Sequence, residues 1–380
     1  THYETVGFMQ EELSYLTNKN YSLILNKFIS AENIRYIIYS SASAINVSEV
    51  MVYEKQGNIP MIKGGFIGFF ADIGPNYNAH QRFDDYYIYL QMKGYKELGM
   101  DTFVIPSGLS ALPNSPKVSL APVDPILEKA GFRQSQGYGT KDVIKAYLEA
   151  GDKLGLKLFL CTTNTYTYDE IKDSSGNPLS YEKKMEFCDT PIYYAKLIVD
   201  RYNQIYSKYK SFYGLYLQDE TCDEWLQNRQ EYVNGQRING GLNYYRKLYK
   251  GQSDYIHSVM PDKKIMISPA IWRCGTPMQL KNNIFDLINN GDKRPVVDII
   301  SAQDCLGRIM EITVPDNIYA SYQEYSQQCK IGTENAGAQY WVDAEVFDVT
   351  YANKTAPEVK KSLSIMSAYT NGTILYDLPH

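Results

Sequence analysis

From about Gly64 to the C-terminus, short apolar runs alternate with longer segments whose apolar residues recur every three or four positions. The runs are too continuously apolar for one-sided strands and read as strands covered on both faces. They fall at Gly65–Ala71, Asp101–Ile105, Leu156–Cys161, Phe212–Leu217, Lys264–Pro269, Val296–Ser301, Ala338–Glu345 and Gly372–Asp377. Helical spacing fills the intervals. Phe83, Tyr87, Leu90 and Leu98 share one face, and Val143, Ile144, Tyr147, Leu148, Gly151 and Leu154 share another, with Thr140 as the expected cap. Thr190-Pro191 and Thr276-Pro277 each pair a cap residue with a proline at the first helical position. Thr355-Ala356-Pro357-Glu358 spells a capping box.

Eight strands, each but the last followed by a helix, predict an α/β fold of the (β/α)8 TIM-barrel type over residues 59–380. A doubly wound open sheet would favour fewer strands and a glycine fingerprint after the first. Neither G-x-G-x-x-G nor a P-loop occurs. Residues 1–58 differ: Tyr21–Leu25, Ile34–Tyr39 and Val47–Tyr53 alternate or are β-branched, with turns between, and predict a small antiparallel β segment. The stretches Asn33–Ile37 and Asn46–Glu54 resemble the closing strands of a discoidin-like β-sandwich, a likeness that implies a truncated domain or a reduced helper sheet.

Composition narrows the function. The 38 basic and 43 acidic side chains leave a net charge of −5, which argues against the basic face a nucleic-acid partner requires. No apolar run reaches the ~20 residues of a membrane span, so membrane insertion is not expected. The opening Thr1-His2-Tyr3-Glu4 lacks a basic segment leading into an apolar one, so any export signal is expected to lie outside this chain. The 35 tyrosines against 13 phenylalanines suit half-wet surfaces and sugar clefts as well as packing. The six cysteines lie far apart and form no C-x-x-C pair, which points to buried thiols rather than a zinc site.

In such a barrel the chemistry sits at the C-terminal strand ends. These offer Asp72; Thr162-Thr163-Asn164; Asp219-Glu220; Ser268 and then Trp272; Gln303-Asp304; Asp343 and Glu345; and Asp377. Lys263 and Lys264 lie at the opposite end of their strand, which disfavours Schiff-base chemistry, and the four histidines are scattered. Carboxylate chemistry without a metal or an organic cofactor remains. Glycoside hydrolysis needs two carboxyls across a cleft, about 5–5.5 Å apart for retention and about 6.5–9.5 Å for inversion. Trp272 and Trp341 are candidate sugar platforms, and Asp72, Asn164, Asp219, Gln303, Asp304 and Asp343 candidate substrate contacts.

The placement of Glu220 after the fourth strand and Glu345 at the end of the seventh resembles glycoside hydrolase clan A. That likeness implies Glu220 as acid/base, Glu345 as nucleophile and a retaining mechanism. The clan commonly has Asn before the acid/base, where this chain has Asp219. Further segments, Gly65–Phe70, Lys96–Thr102, Gly214–Leu217 before Glu220, Ile299–Gly307 and Trp341–Phe347, resemble a bacterial, glycoside-hydrolase-like barrel family catalogued as domain of unknown function 4434. That resemblance spans about Gly64 to His380 and implies a carbohydrate-active protein, often extracellular or periplasmic. Two other readings stay open: a non-catalytic barrel that binds an oligo- or polysaccharide, and a structural module with a filled mouth.

Overall fold

A computed structural model describes residues 62–67, 85–105, 117–134, 142–164, 167–291, 293–306, 318–347, 354–366 and 369–378. All lie in the second of the two units into which the chain divides, Asn58–His380. The expected β segment at 1–58, its discoidin-like likeness and Asp72 lie outside the described residues.

The barrel is there. Its strands are β1 (Ile62–Ile67), β2 (Thr102–Ile105), β3 (Lys157–Cys161), β4 (Phe212–Tyr216), β5 (Lys264–Ile267), β6 (Ile299–Gln303), β7 (Gln339–Glu345) and β8 (Thr373–Leu378). They pair in parallel with their sequence neighbours, and β8 closes on β1. The helices between them are α1 (Asp85–Glu97), α2 (Val143–Leu154), α3 (Asp189–Tyr206), α4 (Gly240–Val259), α5 (Pro277–Ile288), α6 (Ile318–Asn335) and α7 (Ala356–Met366).

Alternation along each strand makes two cores. On β7, Trp341 joins Phe66, Val104, Phe159, Cys161, Tyr216, Met266, Ile299 and Ile374 inside the barrel. Even steps, Tyr340, Val342 and Ala344, join the larger layer between sheet and helices. Burying each large side chain contributes about 1.5–3 kcal/mol, so register is strongly fixed.

Capping follows the sequence with exceptions. Thr276 forms its box with Gln279, and the Thr355 amide and hydroxyl both donate to Glu358. Thr140 lies outside the described residues; Asp142 caps α2 instead, accepting from the Lys145 N–H at 2.9 Å. No side chain caps α3, because it runs on from the short helix Tyr181–Phe187 through a helical Cys188, which leaves Pro191 one turn inside. The sixth strand starts at Ile299 rather than Val296. The carboxylate of Asp298 is held there by Arg294, Lys264 and the Ile265 N–H, so the preceding residues serve as a lead-in.

Tyrosine proves to be chiefly a packing residue. Tyr147, Tyr202, Tyr206, Tyr244, Tyr245, Tyr249, Tyr322 and Tyr340 are fully buried. Their hydroxyls tie helices to strand ends: Tyr202 donates to Cys161 O at 3.1 Å and Tyr249 to Asp219 O at 2.7 Å. The six cysteines are free thiols, five of them buried.

Candidate active site at the barrel mouth

The alternation that fills the barrel also decides which strand-end groups reach its opening. Beyond β4, Leu217 packs in the helix layer, and Asp219 follows it outward. The Asp219 carboxylate accepts from Gln252 Nε2 of α4 at 2.7 Å, and Gln252 Oε1 accepts from the Thr162 hydroxyl at 3.0 Å. Asp219 is therefore a buried tether between β4, α4 and β3, not a sugar contact. Glu220 takes the opposite direction and is exposed. Gln303, at the end of β6, donates through Nε2 to Glu220 Oε1 at 3.3 Å and to Ser268 O at 3.0 Å.

On β7, Trp341, Asp343 and Glu345 share the inward face at rising levels. Trp341 is 5% exposed, packed among the barrel's interior side chains with Lys63 4.9 Å from its ring centre. Its level is the base of the barrel, which removes it as a sugar platform. Asp343, one level up, is fully buried and accepts from the Ser268 hydroxyl at 3.0 Å. Glu345 ends the strand, 5% exposed. Its N–H points to Asp304 Oδ1 at 3.4 Å, and its carbonyl accepts from Lys354 Nζ at 2.8 Å.

Asp304 is likewise fully buried, and the same oxygen accepts from the Leu306 N–H at 3.0 Å. It anchors backbone rather than facing a sugar hydroxyl. Asn164 lies half-buried three residues beyond β3.

Burial dominates the electrostatics of this cluster. It raises Asp343 well above the usual carboxylate range; the Ser268 hydroxyl opposes the rise, while negative charge on Asp304, Glu345 and Glu220 reinforces it. Asp304 is pushed up to about 7, again by burial, with Lys354 opposing and Glu345 reinforcing. Burial also raises the Cys305 thiol, with Glu345, Asp304 and Glu220 adding to it. Glu220 follows β4 and Glu345 ends β7 at the same end of the barrel, and negative charge on both adds to the rise at Asp343 and Cys305.

A rim borders Glu220. Ala270, just past β5, bridges to Cys222 on one side and Gln303 on the other. Trp272 follows, half-buried, edge-on to Trp225 at 5.8 Å; Trp225 in turn stacks on Tyr245 at 6.1 Å and 11°. Buried Asp223 holds this turn by accepting from the Trp272 N–H at 2.8 Å and the Cys274 N–H at 2.7 Å.

Among the described residues no group of three or more His, Cys, Asp or Glu side chains could hold a metal ion. Strand-end reasoning named Ser268 without a role and missed Asp223 and Lys354; all three act on the site through backbone or through another carboxyl. It also missed Tyr376, 43% exposed and in register with Glu345 on β8. Counting one more inward step on β8, in place of stopping at Asp377, would have found it.

The sequence of residues 89–378 matches the family described as Domain of unknown function (DUF4434). The chain belongs to the DUF4434 family. No curated protein matches it. Among solved structures, this DUF4434 barrel is similar to a "putative alpha-L-fucosidase" from Bacteroides thetaiotaomicron. The identity is 20% and the TM-score 0.57, over 87% of this chain and 90% of the other. An intracellular xylanase from Thermoanaerobacterium saccharolyticum matches at 11% identity and TM-score 0.44, covering 85% and 90%. A broad-specificity endoglucanase from an uncultured bacterium matches at 9% and 0.47, covering 84% and 87%. At 20% identity the likeness to the first of these shows the barrel fold alone.

Proposed function

We propose that this DUF4434 protein is a retaining glycoside hydrolase, with Glu220 as acid/base and Glu345 as nucleophile. The observation that carries the reading is the contrast between two glutamates at one barrel opening. Glu220 is exposed beside an amide donor, where a leaving group must enter and depart. Glu345 is sunk, with its peptide held at both N–H and C=O, as a nucleophile that must meet one carbon requires.

In the first step the Glu345 carboxylate bonds to the anomeric carbon, the bond from that carbon to the glycosidic oxygen breaks, and the Glu220 proton passes to the departing oxygen. In the second, Glu220 takes a proton from water, the resulting oxygen bonds to the same carbon, and Glu345 is released as carboxylate. Charge and protons balance over the cycle.

The test is a screen of α-fucosyl, xylo-, manno- and cello-oligosaccharides, with the anomer of the first-formed product followed by NMR. Wild type is expected to retain configuration. Glu345→Gln should abolish turnover while calorimetry still detects saccharide binding. Glu220→Gln should spare the first step on substrates whose leaving groups need no protonation while slowing the second, so that a burst of leaving group precedes slow turnover. Normal turnover by Glu345→Gln, or an inverted product, would end the assignment.

The binding-only reading has one observation in its favour. The position where clan A commonly carries an amide is Asp219, and its side chain is bonded to Gln252, away from the mouth. Saccharide binding with no turnover of any substrate in the screen would establish it.

A further inference from the structure

The turn after β5 is more heavily built than a connection between a strand and α5 requires. Asp223, 1% exposed, spends both carboxylate oxygens on it, one on the Trp272 N–H and one on the Cys274 N–H. Between those two amides Arg273 sits at φ 61, a left-handed conformation that a long side chain adopts only when its surroundings impose it. On the far side the Tyr325 hydroxyl reaches the carbonyls of Arg273 at 3.2 Å and Gly275 at 2.7 Å. The group held in place is the half-buried indole of Trp272, braced edge-on by Trp225.

The same turn is wired to Glu220. The Ile271 N–H meets Gln303 O at 3.4 Å, the Gln303 N–H donates to Pro269 O at 2.9 Å, and the Gln303 side-chain amide donates to Glu220. Trp272 therefore stands one residue beyond a direct backbone link to the residue that holds Glu220. It rises from the strand next to Glu220's own, whereas Glu345 lies two strands further round.

We infer that Trp272 is the platform for a sugar ring on the leaving-group side of the scissile bond, which makes the natural substrate an oligo- or polysaccharide rather than a glycoside of a small alcohol. This rests on the hydrolase reading above. An acid/base must lie against the glycosidic oxygen it protonates, so the ring attached through that oxygen extends toward the acid/base's side of the mouth. The C–H face of a pyranose is apolar and matches an indole face. Fixing that face in advance removes the ordering cost that a loose side chain would pay on binding.

The experiment compares Trp272→Ala, Trp272→Leu and Trp272→Phe with wild type on two substrates of the same glycone. One is the oligosaccharide cleaved in the screen, and the other the matching glycosyl fluoride, which places nothing on the leaving-group side. The Ala and Leu variants are expected to lose about tenfold in kcat/KM on the oligosaccharide, the equivalent of one aromatic contact, and to keep wild-type rates on the fluoride. Trp272→Phe should keep most of both. The Leu variant guards against a packing defect, and a fluoride rate equal to wild type certifies the fold. Equal losses on both substrates, or no loss on either, overturn the assignment. If wild type cleaves neither, the hydrolase reading fails by itself. A fluorescence titration with the same oligosaccharides then decides about Trp272: a signal lost in Trp272→Phe supports the platform, and one unchanged by the substitution removes it.

Discussion

The main-chain N–H of Glu345 lies 3.4 Å from the Asp304 carboxylate, while Lys354 holds the carbonyl of the same residue at 2.8 Å. The peptide of one candidate catalytic residue is thus gripped by a carboxyl group and an ammonium group, one at each end. The grip has an electrostatic consequence.

Asp304 carries a folded-state pKa near 7 against an ordinary value of 3.8. A raised acid favours folding fully below the lower value, and that contribution is lost as pH climbs through the higher one. Unfolding by urea at several pH values should therefore show wild type losing stability relative to Asp304→Asn between about pH 4 and pH 7, then running parallel above. The charged and titratable neighbours of Asp304 include Lys354, Glu345, Asp343, Arg273, Cys305, Tyr322 and Tyr340, and comparison with the Asn variant cancels most of their own effects. A difference that stays flat across that window would mean Asp304 is ionised throughout.

The Asp219–Gln252 pair makes a different prediction. Asp219→Ala strands a buried amide that now donates at 2.7 Å, at a cost of about 1–3 kcal/mol, visible as a lower melting temperature. Because the carboxylate faces α4, turnover per folded molecule should stay close to wild type. A loss of turnover without loss of stability would return Asp219 to the list of substrate contacts.

These two residues mark how far the sequence reads. Strand order, helix order and the position of Glu220 and Glu345 at strand ends were legible because parallel strands are apolar throughout and strand ends point to one face. Direction was not. Asp219 and Glu220 are adjacent in sequence, yet one turns to the helices and the other to the opening, and only the register of β4 decides which. Trp341 looked like a platform until its level within β7 was known. The hairpin joining Gln230–Val233 to Gln236–Asn239 carried a signal in its Asn234-Gly235 turn, where both residues take positive φ, but its strands are too polar for a search keyed to apolar runs. Asp223, Ser268 and Lys354 act through backbone or through another side chain, and no spacing rule exposes such roles.

Closure of the barrel depends on two glycines. A Cβ on Gly64 would run into the carbonyl of Thr102 on β2, and one on Gly214 into the carbonyl of Lys264 and the ring of Phe159. Neither backbone neighbour can yield without breaking the ladder. Gly64→Ala and Gly214→Ala should each cost more than about 3 kcal/mol, the upper range for overpacking, and reduce soluble yield. Gly94→Ala, inside α1 with nothing within 4 Å of the new carbon, is the control and should raise melting slightly, since Ala is the better helix former by about 0.5–1 kcal/mol.

Asp343 is the sharpest test of the mouth's charge distribution. Burial, together with negative charge on Asp304, Glu345 and Glu220, holds it well above the ordinary carboxylate range, which favours its neutral form. A neutral acid and an amide have nearly the same shape. Asp343→Asn should therefore match wild-type stability below about pH 4, where the acid is neutral folded or unfolded, and keep turnover within a few-fold, since Ser268 still finds an acceptor. As pH rises above that value, wild type should lose stability relative to the variant until the raised folded value is passed, and the two should run parallel beyond it. A turnover loss of a hundredfold or more with the fold intact would instead mean that the carboxyl group of Asp343 itself takes part in the chemistry, and the nucleophile would have to be assigned anew.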